Sequence, residues 1–126
     1  MTFSIVARCA RTGMLGIAVS SSSPAVAARC AYARAHVGAV GSQNITDPTL
    51  GPRLLDLMAL GATAPEAVRI VVGSVAHITF RQLLAVDAAG RTGVFSGSKT
   101  LGTYAAAEGE GAAAAGNMLR SKVVPE

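Results

Sequence analysis

Polarity alternates from the second residue onward. Over Thr2–Arg8, Phe3, Ile5 and Ala7 fall on one side and Thr2, Ser4 and Arg8 on the other. A period of two marks a strand with one face on a core, and it predicts Phe3, Ile5 and Ala7 as the inward face. A breaker-rich stretch ends at Thr12-Gly13, and residues 14–20 then alternate again with Leu15, Ile17 and Val19 apolar. The two runs read as a hairpin. Folded about residue 11, it sets Thr2 opposite Val19–Ser21, within one residue of register.

The middle of the chain carries two helix signals. Asp47-Pro48 reads as an N-cap with proline at the first helical position, and Gly61 stands where a C-terminal cap belongs. Leu50, Leu54, Leu57 and Met58 form the apolar stripe of that helix. Thr63-Ala-Pro-Glu66 is a capping box, followed by Ala67, Ile70, Val71 and Ser74 on one face. Between hairpin and helices, the Ala-rich run to Ala35 reads as a short helix or crossover. Val37–Ser42 reads as a close-packed strand ending at Gln43-Asn44, its two glycines implying a near neighbour. Phe80–Asp87 and Arg91–Ser96 pair around Ala88-Ala89-Gly90, and Gly111–Leu119 reads as a last strand. Strands, then helices, then strands predict a layered α/β or α+β domain.

Composition narrows the function classes. The 126 residues suit one domain, and 51% hydrophobic against 14% charged residues excludes a disordered tail. With 25 alanines and no Trp, the core must be built from small aliphatic side chains. No run reaches the roughly 20 apolar residues of a membrane-spanning helix, and Met1-Thr2-Phe3-Ser4 lacks the basic start of a secretory signal. Two cysteines, Cys9 and Cys30, make neither a disulfide framework nor a zinc site. The net charge of +4 comes from scattered Arg and Lys without stacking aromatics, which argues against nucleic acid. Ser96-Gly97-Ser98-Lys99-Thr100 lacks the spacing of a phosphate loop. These readings give a cytoplasmic chain with no metal, no cofactor, no nucleic-acid partner and no membrane partner.

The chemistry-bearing feature is Thr2. Removal of Met1 would leave a residue holding a hydroxyl nucleophile and an α-amine base, whose unperturbed pKa of about 8 suits proton transfer near neutrality. Ser4 shares its face of the strand, and the hairpin brings Ser20, Ser21 and Ser22 beside it. A serine-rich turn capping the next helix through Ser22 or Ser23 is the plainer alternative. Cys9 lies seven residues along the strand, too far to share a site with Thr2.

The ordered set Thr2-Phe-Ser-Ile-Val-Ala-Arg8, Leu15-Gly-Ile-Ala-Val-Ser-Ser-Ser22, Val37-Gly-Ala-Val-Gly-Ser-Gln43, Gly51-Pro52, Arg81-Gln-Leu83 to Val86-Asp87 and Gly116-Asn-Met-Leu119 resembles the bacterial "domain of unknown function 1028" family, which is similar in fold to N-terminal-nucleophile (Ntn) hydrolases. The resemblance implies an α+β, four-layer αββα sandwich with the first strand's terminal residue at the active site. It also implies that members continue beyond Gly116-Asn-Met-Leu119, so that residues 1–126 form a single Ntn-hydrolase-like domain cut short at its C-terminus. It suggests amide-bond hydrolysis, with Ser20 or Ser21 supporting the nucleophile. The lysine of proteasome-like members has no counterpart here, Arg34 and His36 being the nearest cations.

The expected function is hydrolysis of a small amide or lactam by Thr2. Ser20 or Ser21 would orient its amine, and Asn44, with Gln43 and nearby backbone amides, would hold the oxyanion. Ser4 and Arg81 complete the substrate-binding set, Arg81 as a bidentate partner for a carboxylate or, alternatively, as an ion pair with Asp87. The competing expectation is a catalytically inactive binding or assembly subunit. In either case an incomplete layer exposes apolar surface and favours a homo-oligomer.

Overall fold

A computed structural model describes the whole chain, residues 1–126. The N-terminal hairpin forms as its alternation predicts, from β1 (Thr2–Arg8) and β2 (Leu15–Ser21), with Thr2 opposite Ser21. A one-turn helix, α1 (Ala27–Cys30), leads into β3 (Ala31–Arg34) and β4 (Gly38–Gln43). Helices α2 (Leu50–Ala59) and α3 (Ala64–Ser74) follow, then a 3-10 turn at Ile78–Phe80 and strands β5 (Gln82–Asp87) and β6 (Thr92–Ser96). Strands β7 (Ala105–Gly109) and β8 (Ala112–Asn117) complete the chain's regular structure.

The architecture is α+β, with two four-stranded antiparallel sheets of order β2-β1-β8-β7 and β3-β4-β5-β6. The sheets share a thin layer of Val6, Ala39, Leu84, Val86, Ala113 and Ala115. Small side chains allow this closeness: a Cβ on Gly41 would run into Leu84 and, at 3.2 Å, Ile17. On the other face of the second sheet, α2 and α3 bury Leu50, Leu54, Val71 and Leu83 completely, each fully buried aliphatic contributing about 1.5–3 kcal/mol. Both faces of β4 and β5 are therefore covered, and all their residues are buried. Residues 1–126 thus build helix pair, sheet and sheet; the outer face of the first sheet carries no helix, so the fourth layer of the expected sandwich has no counterpart in them.

Several expectations are corrected. The inward face of β1 is the Ser4–Val6 side, whereas Ile5 is 39% exposed. Ser4 can be buried because Gln43 accepts its hydroxyl proton, so polarity did not decide the face. The Ala-rich run is helical only over Ala27–Cys30; Ala31–Arg34 is instead a strand because it pairs with β4. The helix after Asp47 starts at Leu50, since the Asp47 carboxylate turns back to the N–H and hydroxyl of Thr49. The Thr63–Glu66 capping box forms, and it phases α3 so that Ala64, Ala67, Val68 and Val71 are buried while Ile70 is 45% exposed. Phe80 belongs to the 3-10 turn and not to β5. Strand β7 carries no sequence signal beyond a run of alanines.

Candidate active site at the start of the first strand

Thr2 begins β1 with Ser21 on one side and Asn117 of β8 on the other. Its Oγ1 lies 2.9 Å from Ser21 Oγ. Ser21 has one hydroxyl hydrogen, which it donates to the Met1 carbonyl at 3.1 Å, while its oxygen accepts the Ser23 N–H at 3.1 Å. Thr2 is therefore the donor and Ser21 the acceptor, which leaves the Thr2 oxygen lone pairs uncommitted. Neither Ser22 nor Ser23 caps α1, whose N-cap position is Val26; the Met1 ammonium donates to Ser22 Oγ at 3.1 Å and Arg29 donates to Ser23 Oγ.

A cleft of about 290 Å³ opens beside Thr2. Asn44 and Asn117 border it, with Arg29, Cys30, Thr46 and Met118 completing much of the wall. Beneath it, a polar network fills the space between the sheets. Gln43 Nε2 donates to Gln82 Oε1 at 2.8 Å and to the Ala115 carbonyl at 3.2 Å. Gln82 Nε2 donates to Ser96 and to the Gly116 carbonyl. Asn117 Nδ2 donates to Gln82 Oε1 at 3.3 Å, leaving its second hydrogen free. These bonds across the two sheets stiffen the floor on which Thr2 stands.

The loops around the cleft hold unusual backbone. Six non-glycine residues of the chain have positive φ, and four of them, Ala25, Asn44, Ile45 and Met118, flank this site. Such conformations cost about 1–3 kcal/mol each and concentrate at functional sites. Asn44 secures them: its Oδ1 accepts the Leu101 N–H at 3.0 Å and its Nδ2 donates to the Phe80 carbonyl. The N–H groups of Ile45 and Thr46 have no acceptor within the chain.

Of the residues expected from the sequence, the structure gathers Thr2, Gln43 and Asn44 at the cleft, with Ser21 bonded to Thr2. Ser4 lies in the buried network and not at the cleft surface, because its hydroxyl is spent on Gln43. Gln43 borders the cleft with its amide fully engaged below it. Asn44 borders the cleft and clamps loops through Oδ1 and one Nδ2 hydrogen, its second Nδ2 hydrogen having no acceptor in the chain. Ser20 pairs with Phe3 and, one residue out of phase with Ser21, projects from the opposite face of the sheet. Arg81 is outside the cleft and beside Asp47, whose carboxyl is held below the usual range first by the Thr49 hydroxyl and further by Arg81. Its alternative partner is also taken, since Asp87 pairs with Arg91 at 2.8 Å. Arg34 is bound to Asp56 and His36 lies in the β3–β4 turn at the far end of the sheets. Asn117 and Arg29 are the wall residues that sequence reasoning missed. Asn117 reaches Thr2 only through a β1–β8 pairing across more than a hundred residues, and Arg29 had no signal beyond a cation in an alanine run.

A larger cleft of about 480 Å³ sits at that far end, bordered by Arg8, Thr12 and His36. Its Thr12 hydroxyl accepts the Met14 N–H, and no nucleophile in it is bonded to a base. Cys9 is exposed nearby, its thiol held below the ordinary range mainly by the Thr12 hydroxyl; it is remote from Thr2. No group of three or more His, Cys, Asp or Glu side chains is placed to hold a metal ion, and no helix is long and apolar enough to cross a membrane.

A mixed α+β fold with two facing antiparallel sheets and a polar cleft at the head of its first strand is the class that this geometry defines. The chain belongs to the family of unknown function DUF1028, whose model matches residues 2–126. A crystal structure of a DUF1028 protein from Silicibacter pomeroyi is similar at a TM-score of 0.92 and 28% sequence identity, over 95% of this chain. This chain spans 56% of the length of that protein. No curated protein matches the sequence.

Proposed function

We propose that this chain is an Ntn-type amidohydrolase in which Thr2, freed by removal of Met1, cleaves the C–N bond of a small amide or lactam. The observation that carries the reading is the Thr2–Ser21 hydrogen bond at the mouth of a cleft ringed by strained backbone. Two face-to-face antiparallel sheets with helices on one outer face match the inner layers of an αββα sandwich, which supports the same assignment.

In this mechanism the Thr2 α-amine accepts the hydroxyl proton as Oγ1 attacks the substrate carbonyl carbon. The oxyanion forms near the free Asn117 Nδ2 hydrogen and the unpaired Ile45 and Thr46 amides, donors that need no reorganisation as charge develops. Collapse expels the leaving nitrogen, which takes the proton from the amine, and leaves an ester on Thr2. Water, deprotonated by the same amine, hydrolyses that ester. Ser21, released from the Met1 carbonyl, orients the amine or the hydroxyl. Asn44 serves by holding the loops.

The test is the intact mass of protein purified from its own host, followed by turnover of a panel of small amides. Loss of Met1, with hydrolysis abolished in Thr2→Ala and retained in Thr2→Ser, supports the mechanism. Quantitative retention of Met1 sinks it and leaves the chain as a binding or assembly subunit.

A further inference from the structure

The cleft beside Thr2 has one charged side chain in its wall, Arg29, and no carboxylate. The salt bridges of the chain are Arg34–Asp56 and Arg91–Asp87, so Arg29 has no acidic partner. It is nevertheless held in place. Its Nη1 donates to the Pro24 carbonyl at 2.9 Å and more weakly to the Ala25 carbonyl at 3.4 Å, and Nη2 donates to Ser23 Oγ at 2.8 Å. These bonds tie the guanidinium to a turn that contains the positive-φ residue Ala25. They use three of its five N–H groups, leaving the Nε–H and one Nη2–H without an acceptor. Neutral acceptors fix the position of the cation without cancelling its charge. A cation so anchored loses little conformational freedom on binding an anion, and two remaining donors suit a carboxylate.

We infer that Arg29 is the anion-recognition residue of this cleft and that its ligand is a small N-acyl compound bearing one carboxylate. Arg29 is the one charged side chain of the wall, which matches a ligand with a single carboxylate. The volume of about 290 Å³ sets its size at the low end of small-molecule sites. The remaining wall mixes uncharged polar side chains, Asn44, Thr46 and Asn117 among them, with apolar groups, and suits a neutral amide. Arg29 thus takes the part that the sequence suggested for Arg81. The inference rests on the reading of this cleft as the Thr2 site, and it concerns recognition and not bond cleavage.

The experiment titrates the full chain with N-acetylglycine and with its uncharged analogue N-acetylglycinamide, following backbone amide NMR signals. The acid should shift Ile45, Thr46 and Asn117 saturably, and Arg29→Gln should weaken its binding by roughly tenfold or more. Arg29→Lys, which keeps the charge without the planar fork, should fall between. The amide should bind wild type and Arg29→Gln alike. Unchanged spectra away from residues 22–30 show that the variants fold. Equal affinity for acid and amide, no loss in Arg29→Gln, or no shift up to the solubility limit of the acid would each overturn the inference. Thr2→Ala separates the two ideas. Arg29-dependent binding that persists in Thr2→Ala, with no amide turned over by wild type, sustains recognition while refuting the hydrolase. Turnover that requires Thr2 but is indifferent to Arg29 and to substrate charge does the reverse.

Discussion

Thr2 donates its hydroxyl proton to Ser21 across the β1–β2 ladder, because the single hydrogen of Ser21 is committed to the Met1 carbonyl. The hairpin register makes this pair, and removal of Met1 would free Ser21 to rearrange.

Ser21→Ala should therefore lower kcat/KM for amide hydrolysis by about tenfold or more while costing only about 1 kcal/mol of stability. Ser20→Ala, on the other face of the same strand, should leave both unchanged. Steady-state kinetics with urea denaturation checks the pair, and equal effects of the two substitutions would remove Ser21 from the mechanism.

Gln82 joins the two sheets by meeting Gln43, Asn117, Ser96 and the Gly116 carbonyl. Gln82→Leu should destabilise by about 2–3 kcal/mol, since it strands buried donors and acceptors on both sheets. The urea midpoint reports this, and the Asn117 amide signals should move as well.

Asp87 is 3% exposed. Burial by itself raises its carboxyl, but N–H donors from Ala64, Arg91 and Ala89 and the Arg91 side chain outweigh it, so the folded-state pKa lies below the usual carboxylate value. A depressed pKa stabilises the fold above the unfolded-state value of about 4, and this contribution drains away as pH falls through the folded-state value. Asp87→Asn should cost about 2–3 kcal/mol at pH 7, because it removes the charged acceptor of the Ala64 and Arg91 N–H groups. The gap to wild type should narrow on acidification below pH ~4. A gap independent of pH would contradict this account.

Two helical glycines should respond oppositely to alanine. In α3, Gly73 has open space at its Cβ position, and Gly73→Ala should stabilise by about 0.5–1 kcal/mol. In α2, a Cβ on Gly51 would enter the Tyr32 ring, whose hydroxyl is held by the Pro48 carbonyl at 2.9 Å. Gly51→Ala should lose about 1–3 kcal/mol by overpacking. Thermal melts of the two variants decide it.

Where signals are local, the sequence reads directly into structure. The alternation of Thr2–Arg8 and Leu15–Ser21, joined by a short turn, yields the hairpin and a window, Val19–Ser21, within which the observed partner Ser21 falls. Thr63 and Glu66 place the start of α3. Gly90 lies in the turn between β5 and β6 at φ +85°, where a residue without a Cβ is favoured. The candidate nucleophile and one of its neighbours were legible for the same reason.

The sequence alone settles most local elements and brings Thr2 opposite Val19–Ser21. Tertiary structure decided which face of β1 is inside, since a period of two separates faces without naming the buried one, and Gln43 makes Ser4 acceptable in the interior. It also decided that Ala31–Arg34 extends along β4, that Asn117 stands beside Thr2, and that Arg29, not Arg81, meets the cleft. Each of these depends on pairings or packing between segments remote in the chain, where the free energy comes from partners that local periodicity cannot identify.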